Sequence, residues 1–533
     1  MRDATTEGQS RSSAAQNSGA VKKNPPQAPV AARQHDGWWF AAATVLVGSC
    51  ILRLLFPDLK PLHHDEGVNG LFMMNLFRSG FYHYDPANYH GPTLYYFGLI
   101  TTTLNALFYG RAGLSTFAIR LVPAIFGIAL VWLGFSLRRY LGSFGALAAA
   151  ALLAASPGMV YFSRYFIHEI PFVFLTLALV VMVLRYRETS RPRYLMLASG
   201  SAALLFATKE TCIITFAVLL LAWLCTRVYL SIRNIPPAPE TNAASADTSP
   251  GKDRWGLWAI AALLFVAISV LFFSSFFTNF PQGAYDSVRA FKIWAQTGQH
   301  TAQYRAPVWT YFLWLEKEEL PILLLGGLGI VIALWRAHNR FAVFAAFWAI
   351  GITAAYSLLP YKTPWLALNL ILPLAIMAGY FLNECYGTAG LRRVSAALVL
   401  LAAFAVSLYQ AIDLSFFRYT DDSIPYVYAH TSPQLLDLVK EVETIAGHAP
   451  FGKQIGIAIV SSEYWPLPWY LRDYQRALFW GHMVSTSEPL LIASGLQIDE
   501  VERDLGRYYK AYKAYDLRPG NVLVLYLRRD IQP

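Results

Sequence analysis

Long apolar runs separated by short basic breaks fill the first three quarters of the chain. They occur at 38–56, 115–137, 143–161, 170–186, 194–208, 211–229, 256–277, 321–335, 342–359, 365–384 and 394–412. At about 1.5 Å of rise per residue, roughly 20 residues cross a hydrocarbon core of about 30 Å. Each run is therefore read as a spanning or near-spanning helix, and the chain as an all-α polytopic membrane protein with about 11 transmembrane helices.

A further run, 93–108, is short and carries Thr101, Thr102, Thr103 and Asn105. If it spanned, Arg138, Arg139 and the basic cluster Arg185, Arg187, Arg191 and Arg193 would lie outside. That opposes the tendency of Lys and Arg to remain in cytoplasmic loops. As an amphipathic juxtamembrane helix on the outer interface, it leaves every basic loop cytoplasmic, including Arg336/Arg340 and Arg392/Arg393. The expected placement is a multi-pass protein of the cell (inner) membrane, N-terminus cytoplasmic and C-terminus extracytoplasmic.

The polar segments then divide the chain. Residues 1–37 are rich in Ser, Ala, Gln and Pro and read as a disordered cytoplasmic tail. No small-residue cleavage site follows the first span, which is expected to stay as an anchor. Residues 38–413 form the membrane domain, with an outer loop at 57–113 and a flexible cytoplasmic linker at 232–254. Beyond Asp413 the spans stop. Ile455–Ser461 and Val522–Leu527 pattern as buried strands and Ile498–Tyr515 as an exposed helix, so 414–533 reads as a small extracytoplasmic α/β domain.

Composition agrees. Of 533 residues, 56% are hydrophobic and 14% charged, which excludes an ordinary soluble enzyme. Aromatics make up 15%, suiting rings at both membrane interfaces. The net charge of +10 is assigned to cytoplasmic loops and anionic lipid headgroups, with no nucleic-acid partner expected. The four cysteines are sparse, lie in or beside apolar runs, and are expected as free thiols.

Nearly all candidate chemistry falls on the outer face. Just beyond the first span stands Pro61-Leu62-His63-His64-Asp65-Glu66-Gly67, two imidazoles beside two carboxylates. It is either an Asp capping a helix that begins near Glu66, with the histidines wetting an interface, or a carboxylate base or metal ligand at the membrane surface. Ser163-Arg164-Tyr165-Phe166-Ile167-His168-Glu169, after the third span, brings Arg164, His168 and Glu169 to the same side; snorkelling and capping are the plainer roles. Ala207-Thr208-Lys209-Glu210 interrupts a run of about 36 apolar residues, as a tight hairpin or with Lys209 on a phosphate. Tyr82–Pro86 and Tyr89-His90-Gly91-Pro92 offer rings for a sugar or for packing, and Glu316–Glu319 and Tyr361-Lys362-Thr363-Pro364-Trp365 add carboxylates and a cation. Walker-type, Gly-x-Gly-x-x-Gly and His-Glu-x-x-His motifs are absent, and the acids sit at span ends, which weighs against ATP-driven transport, zinc proteolysis and ion-coupled carriage.

An acidic pair after the first span, a long first outer loop and a second acidic motif after the third span together resemble the GT-C membrane glycosyltransferases, such as protein O-mannosyltransferases and aminoarabinose transferases. More narrowly, Arg53-Leu54, His63–Gly67, Tyr89–Pro92, Ser163–Tyr165, Ala207–Glu210 and Tyr464-Trp465-Pro466-Leu467-Pro468-Trp469-Tyr470 are similar to the flippase activity-associated protein family. The broader resemblance implies transfer of a sugar from a polyprenyl-phosphate donor to a glycan, lipid or protein acceptor outside the membrane, with membrane lipids as further partners. It implies Asp65 as the catalytic carboxylate, Glu66 in support, and Glu169 at the second acidic position, where those enzymes usually carry Asp. His63, His64, His90, His168 and Glu210 would bind substrate, with Arg164, Lys209 and Lys362 available for the departing phosphate. A divalent cation, Mg or Mn, between Asp65 and Glu169 could substitute for a cationic side chain. Two other readings stay open: a flippase component that grips lipid-linked sugars without bond chemistry, and an assembly protein recruiting partners through Tyr464–Tyr470.

Overall fold

A computed structural model describes residues 31–88, 90–235, 252–300, 306–387 and 390–531. Most of the expected tail and of the cytoplasmic linker lies outside these residues. The membrane part is helical throughout. It runs through α1 (Ala31–Leu54), α2 (His64–Ser79), α3 (Thr93–Tyr109), α4 (Thr116–Gly134), α5 (Arg138–Ala155), α6 (Pro157–Phe162), α7 (Glu169–Thr189) and α8 (Pro192–Phe206). It continues as α9 (Cys212–Ile232), α10 (Lys252–Phe273), α11 (Gln282–His300), α12 (Thr310–Glu318), α13 (Leu320–Arg336), α14 (Arg340–Leu358), α15 (Leu368–Tyr386) and α16 (Gly390–Ile412).

Among the described residues, 8 stretches are long and apolar enough to cross a membrane, or 9 if the bent pair α12–α13 forms one span. The eleven runs differ from that count for local reasons. The stretch Thr116–Ala155 is continuous by length, yet Gly142 breaks it with φ of 79° and ψ of 166°, and α4 and α5 pack on each other. Helix α8 has 15 residues, and α12 meets α13 at 115°. The run at 93–108 forms α3, which packs on α2 and α4 through Leu94, Tyr95 and Thr102 while exposing Ile100, Leu104, Leu107 and Phe108.

The bundle is organised around α15, whose stretch Pro364–Tyr386 is 89% buried, against 17% for Trp255–Phe273 of α10. With lipid outside, apolarity cannot choose the inner helix; close approach of small residues does. A Cβ on Gly145 of α5 would lie 2.8 Å from the Gly379 carbonyl of α15, and one on Gly379 would lie 2.4 Å from the Gly145 carbonyl. The backbones therefore touch, and the alanine-rich face of α5 (Ala146, Ala149, Ala150) is fully buried there.

After α16, α17 (Gln434–His448), α18 (Leu467–Tyr470) and α19 (Ile498–Leu505) join a five-stranded sheet of β1 (Ile457–Ile459), β2 (Ala477–Phe479), β3 (Leu490–Ser494), β4 (Tyr509–Arg518) and β5 (Asn521–Arg528). The order is β2-β1-β3-β5-β4, parallel across β2, β1 and β3 and antiparallel from β3 through β5 to β4. The helix expected over Ile498–Tyr515 stops at Leu505. Pro519-Gly520, with Gly520 at φ of 79°, turns the chain back, so Tyr509–Arg518 pairs with β5 and buries Tyr509, Tyr515 and Leu517. The three-residue Tyr-Lys-Ala repeat imitated a helical period, and cross-strand pairing overrode it.

The sheet domain sits on α2 and the loop before it through closely fitted contacts. A Cβ on Gly67 would lie 2.4 Å from Cβ of Pro466, and one on Gly70 would lie 2.8 Å from the Trp469 ring. The Tyr470 hydroxyl accepts from the Leu62 amide at 2.8 Å, and the Trp469 indole donates to the Thr116 hydroxyl at 3.1 Å. Thus the Tyr464–Tyr470 segment clamps the start of α2 from above.

Candidate active site

The loop between α1 and α2 has little regular structure of its own, and Arg120 on α4 shapes it. Its guanidinium donates to the carbonyls of Pro57 (2.6 Å), Lys60 (3.0 Å) and Pro61 (3.2 Å). It also donates to both Glu66 oxygens, at 2.8 and 2.7 Å. Glu66 accepts two backbone amides as well, from His63 at 2.9 Å and Phe166 at 2.8 Å. Burial raises the Glu66 carboxyl, but the Arg120 charge and these hydrogen bonds outweigh it and hold the group below its ordinary value. All four donors are protein groups, and the fully buried Glu66 side chain does not line the neighbouring cavity. Glu66, read from the motif as a catalytic partner, instead ties α2 to α4 and to the turn before α7.

His63 caps α2: its Nδ1 accepts from the Asp65 amide at 3.1 Å while Glu66 answers its own amide, a capping box with histidine at the first position. The other ring nitrogen meets the Tyr428 carbonyl at 3.1 Å, and burial lowers its pKa. Capping leaves Asp65 in the first helical turn, half-buried, where a carboxylate is favoured by the helix dipole. Its side chain opens onto a cavity of about 330 Å³ lined by His64, Asp65, Val68, Asn69, His90, Ile167, His168, Glu169 and Trp365.

Further lining comes from the start of α7, the turn before it, and His90. His168 donates through Nε2 to the Gly91 carbonyl at 3.1 Å, and burial pushes its pKa well down. Gly91 lies against the 207–208 turn so closely that a Cβ would stand 2.1 Å from the Ala207 carbonyl. Its amide donates to the Thr208 carbonyl at 3.1 Å, and His90 and Lys209 form an antiparallel bridge. Within this knot the buried Lys209 ammonium donates to Glu169, and His90 pairs with Glu210 at 3.2 Å. Asp65, Glu169, His64, His90 and His168 therefore surround one space although they come from three distant segments.

The expected cations are placed differently. Arg164 donates to the carbonyls of Leu52 (3.2 Å), Leu55 (2.6 Å) and Phe56 (2.7 Å), capping the end of α1. Lys362 donates to Ser357 and Leu359 carbonyls at 2.9 and 2.6 Å, capping α14. Helix ends present unmatched carbonyls that attract cations, and neither residue lines the cavity. Lys209 is matched by Glu169 and also stands behind the lining. Arg518 on β4 was not foreseen: it reaches Nδ1 of His64 at 3.4 Å and the Trp465 carbonyl at 2.8 Å. No local signal marks it. Arg120 did have one, a charge inside an apolar run.

The donors do not fit a bound divalent cation. Among the described residues no three His, Cys, Asp or Glu side chains converge as metal ligands, and Glu169 is already neutralised by an ammonium. All four cysteines are free thiols.

Residues 90–236 match the family described as dolichyl-phosphate-mannose-protein mannosyltransferase. The structure is similar to that of ArnT from Cupriavidus metallidurans bound to undecaprenyl phosphate, with a TM-score of 0.60 and 16% identity, over 92% of this chain and 98% of that one. The chain has an ArnT-like fold. A similar fold is found in the Archaeoglobus fulgidus oligosaccharyltransferase tethered with an acceptor peptide, at a TM-score of 0.59 and 14% identity, over 93% of this chain and 76% of that one. No curated protein sequence matches. The family match spans the Tyr89–Pro92, Ser163–Glu169 and Ala207–Glu210 segments almost entirely, so one wall of the cavity lies within it.

Proposed function

We propose that the protein is a membrane glycosyltransferase that moves a sugar from a polyprenyl-phosphate donor to an acceptor hydroxyl on the extracytoplasmic side. The observation that carries this reading is the cavity lined by both Asp65 and Glu169 in an ArnT-like bundle. Asp65 accepts the proton of the acceptor hydroxyl as that oxygen bonds to the anomeric carbon; the bond from that carbon to the phosphate oxygen breaks, and its electron pair leaves with the phosphate. Glu169 lines the same cavity, and Lys209 keeps that buried carboxylate compensated. Glu66 and Arg120 hold Asp65 in place. The basic loops support a cytoplasmic N-terminus, which puts 414–533 and the cavity outside. The quoted motifs support kinship with the flippase activity-associated protein family.

The test is Asp65→Asn in proteoliposomes with a radiolabelled polyprenyl-phosphate sugar. Loss of a general base lowers transfer by about 10²–10⁴-fold, with the melting profile unchanged. Movement of the labelled lipid across the bilayer that persists in Asp65→Asn, with no sugar transfer by the wild type, identifies the flippase component instead.

A further inference from the structure

Arg164 and Lys362 are spent on helix ends and Lys209 on Glu169, so among the described residues none of the three expected cations lines the cavity. Another charged group touches one of its lining residues, His64. Arg518 comes from a strand 454 residues further along the chain, with a side chain only 12% exposed, and Nη1 lies 3.4 Å from Nδ1 of His64. The same nitrogen stands 3.6 Å from a Glu463 oxygen, Nη2 donates to the Trp465 carbonyl at 2.8 Å, and Nε is buried without a partner. Guanidinium is always a donor, so Nδ1 of His64 must accept. The ring proton of a neutral His64 then resides on Nε2, leaving that nitrogen as a donor on a residue that lines the cavity beside Asp65. The Trp465 ring, 6.1 Å away centroid to centroid, flanks the imidazole.

We propose that Arg518 is a positioning residue of the reaction site: by engaging Nδ1 of His64 it fixes Nε2–H as a hydrogen-bond donor to a phosphate oxygen of the lipid carrier. The C-terminal domain thereby completes a phosphate site whose other walls belong to the membrane domain. This rests on the transfer reading for its ligand, but binding can be measured without turnover.

Undecaprenyl phosphate in detergent micelles is the probe, titrated by quenching of intrinsic tryptophan fluorescence. Arg518→Ala is expected to weaken binding about tenfold, and Arg518→Lys to restore part of it. His64→Gln, whose amide nitrogen stands near the Nε2 position, is expected to bind within about threefold of wild type, and Arg518→Ala to add little in that background. Nitrogen-15 spectra of histidine-labelled protein should show His64 protonated on Nε2 in the wild type and a tautomer mixture in Arg518→Ala. Should Arg518→Ala unfold, Arg518→Gln, which retains a donor for the Trp465 carbonyl, takes its place. Unchanged affinity in the Arg518 variants, an undiminished effect in the His64→Gln background, or a wild-type proton on Nδ1 overturns the proposal. Tight, Arg518-dependent binding together with full transfer by Asp65→Asn overturns the catalytic assignment and leaves the phosphate site standing.

Discussion

Glu66→Gln separates a structural acid from a catalytic one at adjacent positions. The wild-type carboxylate accepts four donors, two per oxygen: Arg120 Nε and the Phe166 amide on one, Arg120 Nη2 and the His63 amide on the other. Glutamine offers one oxygen, so its amide nitrogen must face two donors whichever way it is turned, and the buried Arg120 charge loses its partner. Breaking a buried pair in this manner costs about 3–5 kcal/mol, a large part of the roughly 5–15 kcal/mol that holds a folded protein together. In a scan at fixed heating rate in detergent, the apparent melting temperature should fall by on the order of 5 °C or more. Transfer should decline in proportion to the folded fraction. Replacing both partners by apolar residues, Glu66→Leu with Arg120→Met, should recover part of the loss, because no charge is then stranded. A Glu66→Gln protein that melts like wild type yet transfers nothing would refute the structural role and return Glu66 to the chemistry.

Further outcomes follow from the same geometry. Lys209→Met strands the buried Glu169 carboxylate and should cost about 3–5 kcal/mol of stability, measured in the same scan, whereas Lys362→Met, losing a helix cap, should cost only about 1 kcal/mol. Gly91→Ala would force its methyl group to within 2.1 Å of the Ala207 carbonyl; the 207–210 turn must move, and transfer should fall steeply, while normal activity would show that the turn yields freely. Gly67→Ala meets Pro466 at 2.4 Å and should loosen the C-terminal domain, read as faster protease cleavage within 413–430. Burial lowers the His63 pKa from 6.5, so between that lower value and 6.5 the unfolded chain binds the proton more readily. Stability should therefore fall as pH drops below about 6.5, and His63→Asn, which keeps an acceptor at the cap, should flatten that limb.

Residue order alone settled what depends on neighbours along the chain. The apolar runs and the basic breaks follow from solvation by lipid and water, and a helix does begin beside the acidic pair, although His63 and not an aspartate caps it. Asp65 and Glu169 were legible as a pair because each follows a span end. Tertiary structure decided the partners. A cation near a helix end can serve a substrate or the nearest free carbonyls, and only packing shows that Arg164 and Lys362 take the carbonyls. Glu66 and Asp65 are adjacent in sequence, yet the reach of Arg120 from α4 turns one inward and leaves the other facing the cavity. Arg518 meets His64 because a Pro-Gly turn converts an apparent helix into a strand and lays its end above α2. Hydrogen bonds are short and directional, so a role that depends on a partner hundreds of residues away is decided by the fold that brings the two together.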